Sequence, residues 1–133
     1  MTAGYSGTPQ SKKLGLVPGA RWDAVAASED WSFEQPPAAE DRVTDGGPAD
    51  VVVVFVRSAA ELEQAIAENE RRVFPAGALW VAWPRKAGGH LSDVAENDIR
   101  STALARGLVD VKVAAIDADW SGLKLVWRRE NRG

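Results

Sequence analysis

Residues Ala49 to Pro84 constrain the fold more than any other stretch. They read Ala-Asp-Val-Val-Val-Val-Phe-Val-Arg-Ser, then a helical run, then Pro-Ala-Gly-Ala-Leu-Trp-Val-Ala-Trp-Pro. Val51 to Val56 shows no polar alternation. A continuous, mostly β-branched run bounded by turn residues suits a central parallel strand covered on both faces. Ser58-Ala59-Ala60-Glu61 has capping-box spacing, in which serine and glutamate side chains each accept from a backbone amide of the other's turn. Leu62, Ile66 and Val73 supply an apolar stripe. Glu61 and Glu63 near the start and Arg71 and Arg72 near the end complement the helix dipole. Pro75-Ala76-Gly77 ends the helix, and Ala78 to Trp83 is the next strand. Strand, crossover helix and strand form one βαβ unit, which fixes the class as α/β. Ligands of such sheets favour the crevice outside the carboxyl ends of the strands.

The flanking segments fit around that unit. Lys12 to Leu16 reads as a short helical turn, and Trp22 to Ala27 as a first strand weakened by its alanines. Ser28 to Gly47 is polar and broken by Pro36-Pro37 and Gly46-Gly47-Pro48, with room for at most a short strand near Arg42 to Thr44. After the loop Pro84 to Gly89, a second helix is expected to start near Ser92 or Asp93, where Asp93 and Glu96 repeat the capping spacing. Its inner face would be Ala95, Ile99, Ala103 and Leu104, and Gly107 would stop it. Val109 to Ile116 and Leu123 to Trp127 read as strands joined by the turn Asp117 to Gly122. Leu123, Leu125 and Trp127 alternate with Lys124, Val126 and Arg128, as in an edge-side antiparallel strand. Residues 1–11 are read as a flexible tail, 12–128 as one α/β domain and 129–133 as a charged, solvated tail.

Composition narrows the function classes. The chain has 133 residues, 45% of them hydrophobic, which is enough for one domain with its own core. The net charge of −3 gives no general attraction to nucleic acid, so a nucleic-acid partner is not expected. Cysteine is absent, which excludes disulfides, thiolate metal sites and cysteine nucleophiles and fits a reducing, cytoplasmic setting. No segment reaches the roughly 18 apolar residues of a membrane helix, and Met1 to Gln10 lacks an apolar signal core, so no membrane role is expected. Six tryptophans exceed what a small core holds easily, so some are expected at the surface, where exposed aromatics favour self-association or a protein partner.

Lys13-Leu14-Gly15-Leu16-Val17-Pro18-Gly19-Ala20-Arg21 resembles the approach to the first strand of class I S-adenosylmethionine-dependent methyltransferases. Ala49 to Trp83 resembles the later half of that fold, and a helix and a terminal antiparallel hairpin follow in the same order. More closely, the chain resembles a bacterial family of small proteins, domain of unknown function 3052. The matching stretches are Lys13 to Gly19, Gly47 to Val52, Leu79 to Lys86 and Trp120 to Leu123. The resemblance implies a three-layer Rossmann-like, methyltransferase-like fold: a mostly parallel sheet ending in an antiparallel hairpin. It also exposes a departure. The glycine-rich turn that such methyltransferases place after their first strand is here Ala26-Ala27-Ser28-Glu29-Asp30-Trp31-Ser32. Residues 28–49 are also too few for the helix and strands that normally follow. No cofactor is therefore expected, and enzymatic activity is not favoured. Asp23 or Glu40 as a ribose-binding acid has no support from spacing.

Candidate site residues fall in two places. Arg85, Lys86, His90 and Ser92 lie in the loop after the 78–83 strand, where two cations, a lone histidine and a helix start would suit a small anionic metabolite or nucleotide. As an alternative, that loop is a solvated basic turn. Trp83, Asp119, Trp120 and Ser121 form a second group that would touch a partner or a ligand ring, or simply fold onto the sheet edge. No metal site is expected, because His90 has no ligand set beside it. Ser58 lacks a nucleophile elbow and is read as a cap. The favoured function is a non-enzymatic methyltransferase-like module that binds another protein or itself. The alternative is an anion sensor at the Arg85 loop, and residual methyl transfer comes last.

Overall fold

The computed structural model describes residues 9–29, 31–85 and 93–132. Its elements are α1 (Gln10–Leu14), β1 (Trp22–Val25), β2 (Val51–Phe55), α2 (Leu62–Asn69), β3 (Ala78–Pro84), α3 (Glu96–Ala105), β4 (Leu108–Ala115) and β5 (Trp120–Trp127). One five-stranded sheet runs β1-β2-β3-β5-β4. β1, β2 and β3 are parallel, and β5 enters antiparallel between β3 and β4. The fold is thus the Rossmann-like α/β arrangement that the sequence implies. β5, expected at the edge, lies inside the sheet; β4 is the edge strand.

The valine run behaves as its pattern demands. Val51 to Phe55 is buried at every position. Val52 and Val54 face a core with Leu62 and Ile66 of α2 and Ile99 and Ala103 of α3. Val51, Val53 and Phe55 face a second core with Leu14, Trp22 and Trp80. Each such side chain, removed from water, contributes roughly 1.5–3 kcal/mol, so this strand outweighs any single surface ion pair. Trp80, fully buried, packs on Gly122, where an added Cβ would lie 3.0 Å from the indole. The first face is covered by helices. The second is covered by α1 and by irregular chain carrying Trp31 and Phe33.

Several local expectations give way to longer-range bonds. Ser58 makes no side-chain cap; Glu61 accepts instead from the Arg57 amide, and Asp93 accepts from the Ala59 amide. Asp93 therefore caps the turn before α2 and not its own helix, and α3 starts at Glu96. Of the face expected for α3, Ile99 and Ala103 are buried, but Ala95 and Leu104 are exposed. Arg100 joins α3 to β4, with Glu96 at 2.5 Å and Asp110 at 3.0 Å, and those carboxylates hold its guanidinium pKa above the ordinary value. The stretch Arg42 to Thr44 forms only a single bridge, Trp22 to Arg42. The folded part is wider than expected at both ends. Gln10 is buried and donates to the Ile116 carbonyl, and Asn131 donates to the Gly107 carbonyl.

Arg72 has a role that dipole reasoning does not suggest. It is buried beyond the end of α2 and pairs with Asp23 of β1 at 2.8 Å, both side chains under one-tenth exposed. Its remaining donors reach the carbonyls of Gly47 and Val43. One guanidinium thus ties α2, β1 and the irregular 43–47 segment together. Arg42 approaches Asp23 from outside at 3.0 Å and donates to the Ala24 carbonyl. The Asp23 carboxylate also accepts from the Ala24 amide, and Val43 donates to the Trp22 carbonyl. This edge of the sheet is therefore capped by side chains and one amide in place of a further strand.

β1 ends at Val25, and Ala26 turns into the left-handed region at φ 65°, the only non-glycine residue with positive φ among those described. An alanine there costs roughly 1–2 kcal/mol, part of which glycine's larger unfolded-state entropy would offset. Ala26→Gly should raise stability by about 0.5–1 kcal/mol in urea denaturation; a loss would contradict the assigned backbone. Arg72→Met should cost about 3–5 kcal/mol, since it strands a buried carboxylate and two carbonyls. Arg42→Gln, at the exposed side of the same carboxylate, should cost about 1 kcal/mol or less in the same assay. Equal losses at Arg42 and Arg72 would refute the pinning role.

Candidate functional site

The carboxyl ends of β1 and β2 lie side by side because the strands are parallel and in register, Val25 beside Val54. The chain leaves β1 through Ala26 and leaves β2 through Val56 and Arg57. Arg57 bends back across this end. Its guanidinium donates to the Ala26 carbonyl at 2.9 Å and lies 5.4 Å from the centre of the Trp120 ring. The backbone turn after β1 is therefore held by a side chain that lies just beyond β2.

Aromatic rings fill the adjacent face in a continuous edge-to-face series. Trp22 meets Phe33 at 5.5 Å, Phe33 meets Trp31 at 4.8 Å, Trp31 meets Phe55 at 4.7 Å and Phe55 meets Trp120 at 4.9 Å. Each edge-to-face contact contributes about 0.5–1.5 kcal/mol beyond area burial. Their polar ends are also fixed. The Trp22 indole donates to the Ala38 carbonyl, and the Trp31 indole donates to the Asp117 carboxylate at 2.8 Å. Asp117 also accepts from the amides of Asp119 and Trp120, so the β4–β5 turn and the 31–33 segment share one carboxylate.

Two cavities flank Ala26. One, of about 230 Å³, lies toward α2 and carries Glu61 and Glu68 with Arg57. The other, of about 450 Å³, lies between β1 and the irregular segment. Trp22, Trp31 and Phe33 wall it, Ala24 and Ala27 floor it, and Arg42 stands at its rim.

The structure brings part of the expected site together. Trp83 pairs with Ser121 and Pro84 with Trp120 across β3 and β5, and the Arg85 amide donates to the Asp119 carbonyl. Trp83, Arg85, Asp119, Trp120 and Ser121 thus share one corner. The Arg85 guanidinium donates to the Asp117 carbonyl at 3.0 Å, between two acidic residues of the turn. Lys86, His90 and Ser92 lie outside the described residues. The tryptophans do not stand out at the surface as expected. Trp22, Trp80 and Trp127 are buried, and Trp31, Trp83 and Trp120 are half-buried. Besides Trp22 and Trp31, two more indoles donate within the fold, Trp80 to the Leu14 carbonyl and Trp127 to that of Glu70. Sequence reasoning missed Ala26, Phe33, Arg42 and Arg57. The alternation Trp31-Ser32-Phe33 was the available signal, since every second side chain faces one way in extended chain.

An adenosyl cofactor, which the methyltransferase resemblance brings to mind, does not fit this end. The turn after β1 carries a Cβ at Ala26 where a close backbone approach needs glycine, and its carbonyl is already bonded to Arg57. Asp23, the acid on β1, is engaged by two arginines. Among the described residues no group of three potential metal ligands occurs.

Comparison with solved structures agrees with the architecture. A protein in the NADB-Rossmann superfamily from Streptococcus agalactiae matches 96% of this chain and 70% of its own at a TM-score of 0.51 and 12% identity, a likeness of fold alone. Magnesium protoporphyrin IX methyltransferase from Synechocystis matches 90% and 74% at 0.49 and 14% identity. A putative tRNA (m1A22) methyltransferase from Streptococcus pneumoniae matches 65% and 39% at 0.42 and 11% identity. No curated protein matches the sequence. A family model described as "Protein of unknown function (DUF3052)" matches residues 39–129, well over half of the chain, and the protein belongs to that family.

Proposed function

We propose that this protein is a non-enzymatic interaction module that self-associates through the β4 side of its sheet. The observation that carries this reading is where apolar surface is left. Among the described residues, the exposed large hydrophobics are Val17, Leu104, Val111 and Val113. Three of the four are on α3 and β4, which pack on each other at one end of the sheet. Val111 and Val113 are about half exposed, at 54% and 53%.

The two edges of the sheet differ in the way this reading requires. β1 is covered by Arg42, Asp23 and Val43, while among the described residues β4 has no neighbour strand on its outer side. A register shift between Asp110 and Lys112 kinks β4. A bulge and an edge lysine discourage indiscriminate strand addition. The contact is therefore assigned to side chains, with Val111, Val113 and Leu104 as its apolar centre. Small apolar patches framed by charge are the usual anatomy of such interfaces. The lack of fit for an adenosyl cofactor at the β1 turn supports the non-enzymatic half of the reading.

Light scattering of the full chain over a range of concentrations tests it. The expected result is a reversible dimer or larger species that Val111→Lys with Val113→Lys converts to monomer, with the thermal midpoint of the monomer little changed. A monomer at all concentrations, or an oligomer indifferent to the double change, would refute this assignment.

A further inference from the structure

The cavity beside β1 carries a chemistry that the interaction reading does not use. Its walls are aromatic and already fixed. Phe33 stands between Trp22 and Trp31 at 5.5 and 4.8 Å, and both indole N–H groups are bonded elsewhere. Rings locked in this way lose little entropy when a ligand arrives. The floor is of small residues, Ala24 and Ala27. The volume of about 450 Å³ falls within the roughly 300–1,000 Å³ of small-molecule sites.

The charge at the rim decides what sort of ring compound fits. Asp23 carries one negative charge and is shared by two guanidiniums, Arg72 behind it and Arg42 in front. The cluster therefore keeps a net positive charge. Arg72 is buried, whereas the Arg42 side chain is 43% exposed and lines the cavity. Arg42 is also held in place: its Nε bonds Asp23, its Nη2 bonds the Ala24 carbonyl, and its carbon lies 5.3 Å from the centre of the Trp22 ring. Its Nη1 makes no hydrogen bond to the described residues. A guanidinium fixed at the mouth of an aromatic slot matches a carboxylate attached to a flat ring. The cavity on the other side of Ala26 lacks this match, because Glu61 and Glu68 line it.

We infer that the cavity between β1 and the chain that carries Trp31, Phe33 and Pro36 binds a planar aromatic acid, with its ring against Trp31 and Phe33 and its carboxylate on Arg42. The inference is independent of association through β4. It also differs from the anion site expected around Arg85, whose guanidinium is bonded to the Asp117 carbonyl and is not among the residues that line this cavity.

The test uses the full chain with two probes of equal shape, 2-naphthoate and the neutral 2-naphthylmethanol. Calorimetry reads affinity, and the indole N–H resonances of Trp22 and Trp31 read location. Naphthoate should bind in the roughly millimolar range or tighter and move both resonances. Arg42→Gln should weaken naphthoate about ten- to a hundredfold, the loss of one charge-assisted contact, and leave the alcohol unchanged. Ala27→Leu, which fills the floor, should weaken both probes. The amide spectrum of each variant shows whether it is folded. The proposal fails if neither probe binds the wild type, if the shifts centre away from Trp22 and Trp31, or if Arg42→Gln leaves naphthoate binding intact.

Discussion

The buried pair between Asp23 and Arg72 is the constraint on which the rest of the molecule depends. A buried guanidinium is tolerated only where its charge and its donors are met. Here the carboxylate comes from β1, while the carbonyls come from Val43 and Gly47. The pair therefore works as a connector: it sets the edge strand of the sheet, the end of α2 and the irregular segment against one another. Because Asp23 must face α2 for this, Trp22 and Ala24 must face the other way. That orientation places Trp22 at the head of the aromatic series.

The second face follows from the same arrangement. A Rossmann-like sheet needs both faces covered, and among the described residues between β1 and β2 there is no helix longer than a turn. Trp31 and Phe33 supply the missing apolar cover, joined to Phe55 and Trp120 ring by ring. Large flat side chains can cover a sheet from extended chain, where smaller residues would need a helix to bring enough of them to bear. The arrangement leaves a gap where rings meet at steep angles, and the larger cavity beside Ala26, lined by Trp22, Trp31 and Phe33, is such a gap.

The sequence made the βαβ unit legible because burial on both faces leaves an unbroken apolar run, and Val51 to Phe55 shows one. The terminal hairpin was legible from the alternation of Leu123, Leu125 and Trp127. Which strand forms the edge was not, since β5 alternates like an edge strand although β4 lies outside it. There the open face of the sheet holds Lys124 opposite Lys112, so the pattern reports one solvated face and not an edge. Capping was misread for a related reason. Ser58 and Asp93 both have the right local spacing, but a carboxylate from a distant segment reaches the Ala59 amide. Strand register alone brings Trp83, Asp119, Trp120 and Ser121 into one corner. Arg42 and Arg57 were invisible, since nothing local distinguishes an arginine that reaches across strands from one in solvent.

The central claim is that the chain's own aromatic side chains close the second face at the carboxyl end of β1 and β2. Hydrogen exchange at the Trp31 indole N–H tests this most directly, because that proton is bonded to Asp117 only if the 31–33 segment is packed against the sheet. Packing predicts exchange slowed well below that of a solvent-exposed indole, together with a single set of resonances for Trp31 and Trp120. Exchange at the rate of an open indole in the folded protein would contradict it.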